Sequence, residues 1–192
     1  MGTATDMQKE MEQMYVEMNE MHNRHAELLK KWGAMEVSDY ELKDTDGNSI
    51  KLSELFGDKD DLILVHNMGK SCPYCTLWAD GFIGFTKHLE NRAAFVLTSP
   101  DEPSVMKEFT EGRGWNFKCY SAHGTDFVKD MGFEPEPGMY QPGFSTFKKD
   151  KDGKLRRIAF SYFGPGDLYA SVWHFFNLLE NGADNWHPKY EY

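Results

Sequence analysis

The sequence has little of what most directly betrays a function. No apolar run approaches the ~18 residues that a membrane span needs. Basic residues are scarce: 21 Lys and Arg stand against 31 Asp and Glu, a net charge of -10. A stripe of cations for phosphates is therefore missing, and neither nucleic acid nor an anionic membrane surface is an expected partner. There are only three cysteines in 192 residues, which is no disulfide framework. Zinc needs four ligands in most structural sites. Here no second Cys-x-x-Cys and no His pair separated by three to five residues accompany the first cysteine pair, so no metal is expected. The opening "MGTATDMQKEMEQ" is polar and lacks the basic-then-apolar pattern of a secretory leader. The expectation is a cytoplasmic protein, reduced on average.

What is present begins with a long helix over residues 6–32. Met7, Met11, Met14, Met18, Met21, His25, Leu28 and Trp32 recur at alternating intervals of four and three, an unbroken heptad seam that Gly33 ends. Two readings stand: the helix packs on its own domain, or it is the arm of a homodimer. Methionines on such a stripe are ordinarily flexible filler. The sequence divides into this amphipathic segment, residues 1–34, and a domain over residues 35–192.

In the second part, "YELKDTDGNSIKL" predicts a hairpin turning at Asp46-Gly47. "DLILVHN" reads as a buried central strand. "CPYCTLWADGFIGFTKHLE" reads as one helix, and "AAFVLTS" as a second buried strand. "PSVMKEFTEG" predicts a helix with Pro103 near its start. "NFKCYS", "TDFVKDMGF" and a hairpin turning at Asp152-Gly153 follow, and "GDLYASVWHFFNLLE" is expected to be the last helix. The tail "NGADNWHPKYEY" is expected to drape over the surface. The order implies an α/β fold, a central mixed sheet with helices on both faces.

The chemistry is concentrated in "VHNMGKSCPYCTLWADGF". Cys72 follows a buried strand and precedes Pro73. Proline suits the first helical position, which makes Cys72 the N-cap. Its sulfur then faces the free amides of Tyr74 and Cys75 and the positive end of the helix dipole, which favour the thiolate. Cys75 lies one turn further in, within reach of a disulfide. This predicts an attacking thiol at Cys72 and a resolving thiol at Cys75. Zinc binding and inert packing are the competing readings of the pair. Cys119, alternating on its strand, is expected to be apolar filler.

The stretch "YELKDTDGNSIKLSELFGDKDDLILVHNMGKSCPYC" resembles the opening of thioredoxin-like proteins of the peroxiredoxin and membrane-tethered thiol-reductase type. Its "CPYC" is similar to the motif of glutaredoxins. Through "LLKKWGAMEVSDYEL", "CPYCTLWADGF" and "LTSPDEPSVMKEFTEGRGWNFKCYS" the chain resembles the bacterial domain-of-unknown-function family 899, over roughly residues 25–180. The resemblance implies a thioredoxin-like fold with an N-terminal β-hairpin extension, and a thiol-disulfide oxidoreductase acting on a protein disulfide or small thiol. No cofactor is implied beyond an external thiol reductant. It also implies a cis-proline facing the cysteines. Pro142 in "QPGFSTF" is better placed for this than Pro135 or Pro137. A cis bond there would leave the Gln141 backbone free to pair with an extended substrate.

His66 occupies the position where thioredoxins carry an acid that moves the resolving cysteine's proton. It is read either in that role or as a core histidine. Tyr74 is a candidate substrate contact, Lys70 a solvated loop residue, and Trp78 and Phe82 core aromatics. Two departures count against the nearest relatives. Peroxiredoxins place a threonine three residues before the reactive cysteine, where this chain has Gly69, and no membrane anchor is seen. A redox-inert or redox-sensing assembly module remains the alternative function, with peroxide reduction a weaker one.

Overall fold

The computed structural model describes residues 4–192; residues 1–3 of the expected amphipathic segment lie outside it. Along the described residues run six α-helices and eight strands, in the expected order apart from β1 and the separate α3: α1 (Ala4–Gly33), β1 (Met35–Val37), β2 (Glu41–Lys43), β3 (Ser49–Lys51), β4 (Asp61–His66), α2 (Pro73–Phe82), α3 (Thr86–Arg92), β5 (Ala94–Ser99), α4 (Pro103–Arg113), β6 (Lys118–Ser121), α5 (Phe127–Asp130), β7 (Gly143–Lys149), β8 (Leu155–Tyr162) and α6 (Ser171–Phe176). The strands form one mixed sheet in the order β1-β8-β7-β4-β5-β6-β2-β3. β4, β5 and β6 run parallel; β7 and β8 add an antiparallel pair beside β4.

Strand alternation on β4 sorts the core into two layers. Leu62 and Leu64 point into a layer with Phe127, Met131, Phe133 and Phe160. Val65 points the other way, against Trp78 and Ala79 of α2, Met106 of α4 and Trp173 of α6. Helices thus cover both faces, and α2 begins at the carboxyl end of β4, where parallel strands of open α/β sheets present their binding groups.

Two local expectations are corrected. The helix expected to run from the cysteines to residue 90 breaks into α2 and α3. Gly81 and Gly84 weaken the helix at this place, and Asn116 ties both sides of the break by donating to the Ile83 carbonyl and accepting from the Thr86 hydroxyl. The last helix spans only Ser171–Phe176. The Asp167 carboxylate accepts the amides of Gly164, Tyr169 and Ala170, which holds the preceding residues as a turn. Gly33 ends α1 as expected, at a close approach to the sheet: a Cβ there would sit 2.8 Å from Ala159 Cα. Its carbonyl accepts a 2.8 Å bond from the buried Arg157 guanidinium. The strand β1, paired with β8, had no signal among three residues.

Candidate functional site: the cysteine pair and its cover

The loop between β4 and α2 is held from below. The Asn67 amide bonds the Thr98 carbonyl at 2.9 Å, and its side-chain oxygen accepts the Gly69 amide at 2.8 Å. The Asp101 carboxylate, on the loop after β5, accepts the Lys70 amide at 2.8 Å and the Ser99 hydroxyl at 3.2 Å. Gly69 has φ +104°, and a Cβ there would lie 2.8 Å from the Asp101 carboxylate. The left-handed backbone therefore favours glycine, and the Asp101 carboxylate crowds any side chain there.

From this loop the chain enters α2 through Cys72. Its extended backbone (φ -103°, ψ 103°) makes it the N-cap, with Pro73 in the first turn. Its sulfur accepts the Cys75 amide at 3.1 Å, and the Thr76 amide and hydroxyl both donate to its carbonyl. The cysteines are free thiols, 8% and 3% exposed. Donation from the Cys75 thiol lowers the Cys72 pKa, against the cost of burial, and the Cys75 and Tyr74 amides lower it further, to about 7. The same bond pushes Cys75 strongly upward, helped by its burial and the Cys72 charge. The thiolate is thus favoured at Cys72 and disfavoured at Cys75. Burial alone pushes Cys119 up to about 12, as befits an inert thiol inside the core.

The carboxyl-terminal segment closes over this pair. The Tyr74 hydroxyl meets His187 Nδ1 at 2.6 Å, with the Tyr74 ring stacked near Trp173. The Tyr190 hydroxyl donates to the Lys70 carbonyl at 2.8 Å. Burial and then the charges of Cys72 and Cys75 raise the Tyr190 pKa, a sign of how near its phenol lies. Arg113 anchors the segment by donating to the Tyr190 carbonyl at 2.6 Å while its guanidinium pairs with Asp80 of α2. Sequence reasoning left Asp101, Arg113, His187 and Tyr190 without roles. The one available signal was the density of aromatics in the tail.

The structure disposes of the other expected site residues unevenly. Pro142 opens β7 beside the carboxyl end of β4, where Gly143 is the register partner of His66. The expected cis bond is a correction: the described residues contain no cis peptide. The Gln141 amide is not free for a substrate either, since it donates to the Phe133 carbonyl at 2.8 Å. The Pro142 carbonyl accepts from the Phe163 amide at 2.8 Å. With both flanking groups bonded internally, the chain has no use for the less stable isomer.

His66 is fully enclosed in the layer facing away from α2. It stacks on Phe133 at 3.8 Å and meets the Ser145 hydroxyl at 2.9 Å through Nε2. Burial, then the Arg157 charge, push its pKa well down, so it is a neutral core ring. Tyr74 is held by His187, and Trp78 packs in the core with its indole N–H 3.4 Å from Asp167. Phe82 is half-buried between Phe95 and Phe163. The structure therefore brings Cys72, Cys75 and Tyr74 together and leaves His66 outside the group.

Comparison with known proteins places these features. The family described as "Bacterial protein of unknown function (DUF899)" matches residues 4–192. A curated relative, the chloroplastic peroxiredoxin Q of Gentiana triflora, is 26% identical over 127 residues, 66% of this chain. The match spans 58% of that relative's length. Among solved structures, peroxidoxin BcpB of Mycobacterium tuberculosis is similar with a TM-score of 0.52 and 24% identity, over 68% of this chain and 84% of that one. A mutant PrxQ of Xylella fastidiosa gives a TM-score of 0.56 at 14% identity, over 72% and 89%. Reduced Prx3 of Vibrio vulnificus, solved with hydrogen peroxide, gives 0.54 at 17%, over 70% and 88%. The fold is that of peroxiredoxin-like members of the thioredoxin superfamily.

Proposed function

The chain belongs to the DUF899 family, and on that premise we propose that it is a thiol-disulfide oxidoreductase working through the Cys72–Cys75 pair. The observation that carries the reading is the Cys72 sulfur at the N-cap of α2, accepting the Cys75 amide at 3.1 Å. The Cys72 thiolate attacks one sulfur of a substrate disulfide. The substrate S–S bond breaks, a mixed disulfide forms on Cys72, and the first substrate thiolate leaves. Cys75 then gives up its proton and attacks the Cys72 sulfur. The Cys72–Cys75 disulfide forms, and the second substrate thiol departs with that proton. Two electrons have passed to the substrate, and an external thiol returns the pair to its reduced form. The raised pKa of Cys75 keeps it protonated until the mixed disulfide removes the Cys72 charge. The substrate class is a protein disulfide or a small disulfide, and a reducing cytoplasm is the compartment where such a pair is recharged.

Peroxide reduction is the second reading, favoured by the likeness to peroxiredoxins. Against it stands Gly69, whose positive φ and contact with Asp101 admit no threonine at that position.

The test is trapping. The Cys75→Ser chain should accumulate a mixed disulfide on Cys72 when mixed with oxidised glutathione or a disulfide-bonded protein, read by intact-mass spectrometry. The native chain should form the internal disulfide at a potential between about -300 and -120 mV. A pair that neither traps nor oxidises in that range removes the proposal. Cys72-dependent peroxide consumption without disulfide exchange replaces it with the second reading.

A further inference from the structure

The helix α1 is built as a lever. Its last turn is fixed to the body: Gly33 lies against Ala159, Arg157 holds the Gly33 carbonyl, and the Trp32 ring packs tilted on Phe160 with centroids 4.4 Å apart. Residues 4–28 are exposed throughout. The seam residues are open to solvent, from 53% at Met18 to 71% at Met11. From residue 7 to residue 32 this is a helix of about 39 Å. A helix of this length gains most of its stability from packing an amphipathic face, and within the chain this face packs on nothing before its last turn.

We infer that α1 pairs with α1 of a second copy as an antiparallel two-stranded coiled coil. The occupant is identified by charge. With the seam assigned to the core positions of a heptad, one flank carries Glu10, Glu17, Arg24 and Lys31. In an antiparallel pair, residues of this flank face the same flank of the other helix. The register that sets Met7 against Trp32 and Met18 against Met21 also sets Glu10 against Lys31 and Glu17 against Arg24. Symmetry repeats both contacts, so every charge on the flank meets its opposite. A parallel pair would set Glu10 against Tyr15, Glu17 against His22 and Arg24 against Leu29, and gains none of these pairings. No salt bridge among the described residues already uses these four charges. The other flank carries Leu29, which is half-buried against the body, so the charged flank is the one turned outward. The two bodies sit at opposite ends of the paired arms and do not compete for space.

The experiment uses the full-length chain in light scattering and sedimentation over a concentration series. The expected mass is twice the 22.2 kDa of one chain. Glu17→Arg alone and Arg24→Glu alone each place like charges together at two symmetric points, and each should raise the dimer dissociation constant about tenfold. The double substitution exchanges the signs and should restore native affinity. Both positions are exposed, and near-ultraviolet circular dichroism should show the body unchanged. A chain that remains a single copy up to about 100 µM overturns the inference. So does a dimer that the single substitutions leave untouched, or one that the double substitution fails to restore.

Discussion

At the amino end, five methionines and a tryptophan on one helical stripe stand more than half exposed. At the carboxyl end, Trp186, His187 and Tyr190 turn inward on Trp173, Tyr74 and the Lys70 carbonyl. Both ends are rich in large side chains, yet one is committed to its own fold and the other is not. The difference is one of reach. The tail follows α6 directly and passes over the start of α2, so ordering it costs few residues. The arm leaves the body as a rigid helix anchored at its last turn only, and a straight helix cannot bend its stripe back onto the sheet. The two segments therefore differ in placement: the tail lies against the start of α2, and the arm leaves its stripe open to solvent.

The comparison can be broken at the thiols. The largest expected effect is the pH profile of Cys72 alkylation. Lowering its pKa from 9.0 to about 7 centres the rise in thiolate near neutrality. The rate with iodoacetamide should climb about a hundredfold from pH 5 to pH 8 and then level off. A chain lacking residues 1–28 should give the same curve; one that differs couples the arm to the site. Next in size, a chain ending at Trp186 loses the Tyr74–His187 and Tyr190–Lys70 bonds. Its Cys72 should react about tenfold faster on the plateau, because access as well as ionisation limits the rate. An unchanged rate means the segment is no cover. Smallest is Arg113→Ala, which cuts the tie to the Tyr190 carbonyl but leaves His187 on Tyr74. About a threefold acceleration is expected, as partial release of a weakly held segment, read by the same alkylation assay.

Much of the site was legible because it depends on local chemistry. A strand, a proline in the first helical turn and a cysteine pair three residues apart fix the N-cap geometry without help from distant residues. The hairpins at Asp46-Gly47 and Asp152-Gly153 were legible for the same reason. The failures share a cause too. Of the two readings of His66, the proton-moving one rested on its distance along the chain and fails, because strand alternation turns its ring away from α2; the core reading holds. Pro142 was assigned a cis bond by resemblance, while the bond is trans, with the Gln141 amide on the Phe133 carbonyl and the Pro142 carbonyl on the Phe163 amide. The break after Phe82 depends on Asn116, more than thirty residues on.

The sequence by itself determined the order of elements, the thiol pair at a helix start and the heptad stripe with its flanking charges, because each is a pattern within a few turns of chain. Tertiary structure alone decided that the Asp101 carboxylate crowds position 69, that His66 turns onto Phe133 and Ser145 and away from α2, and that His187 and Tyr190 reach Tyr74 and the Lys70 carbonyl. Those outcomes depend on which strand neighbours which and on which face a side chain emerges, and neither is written in any local stretch.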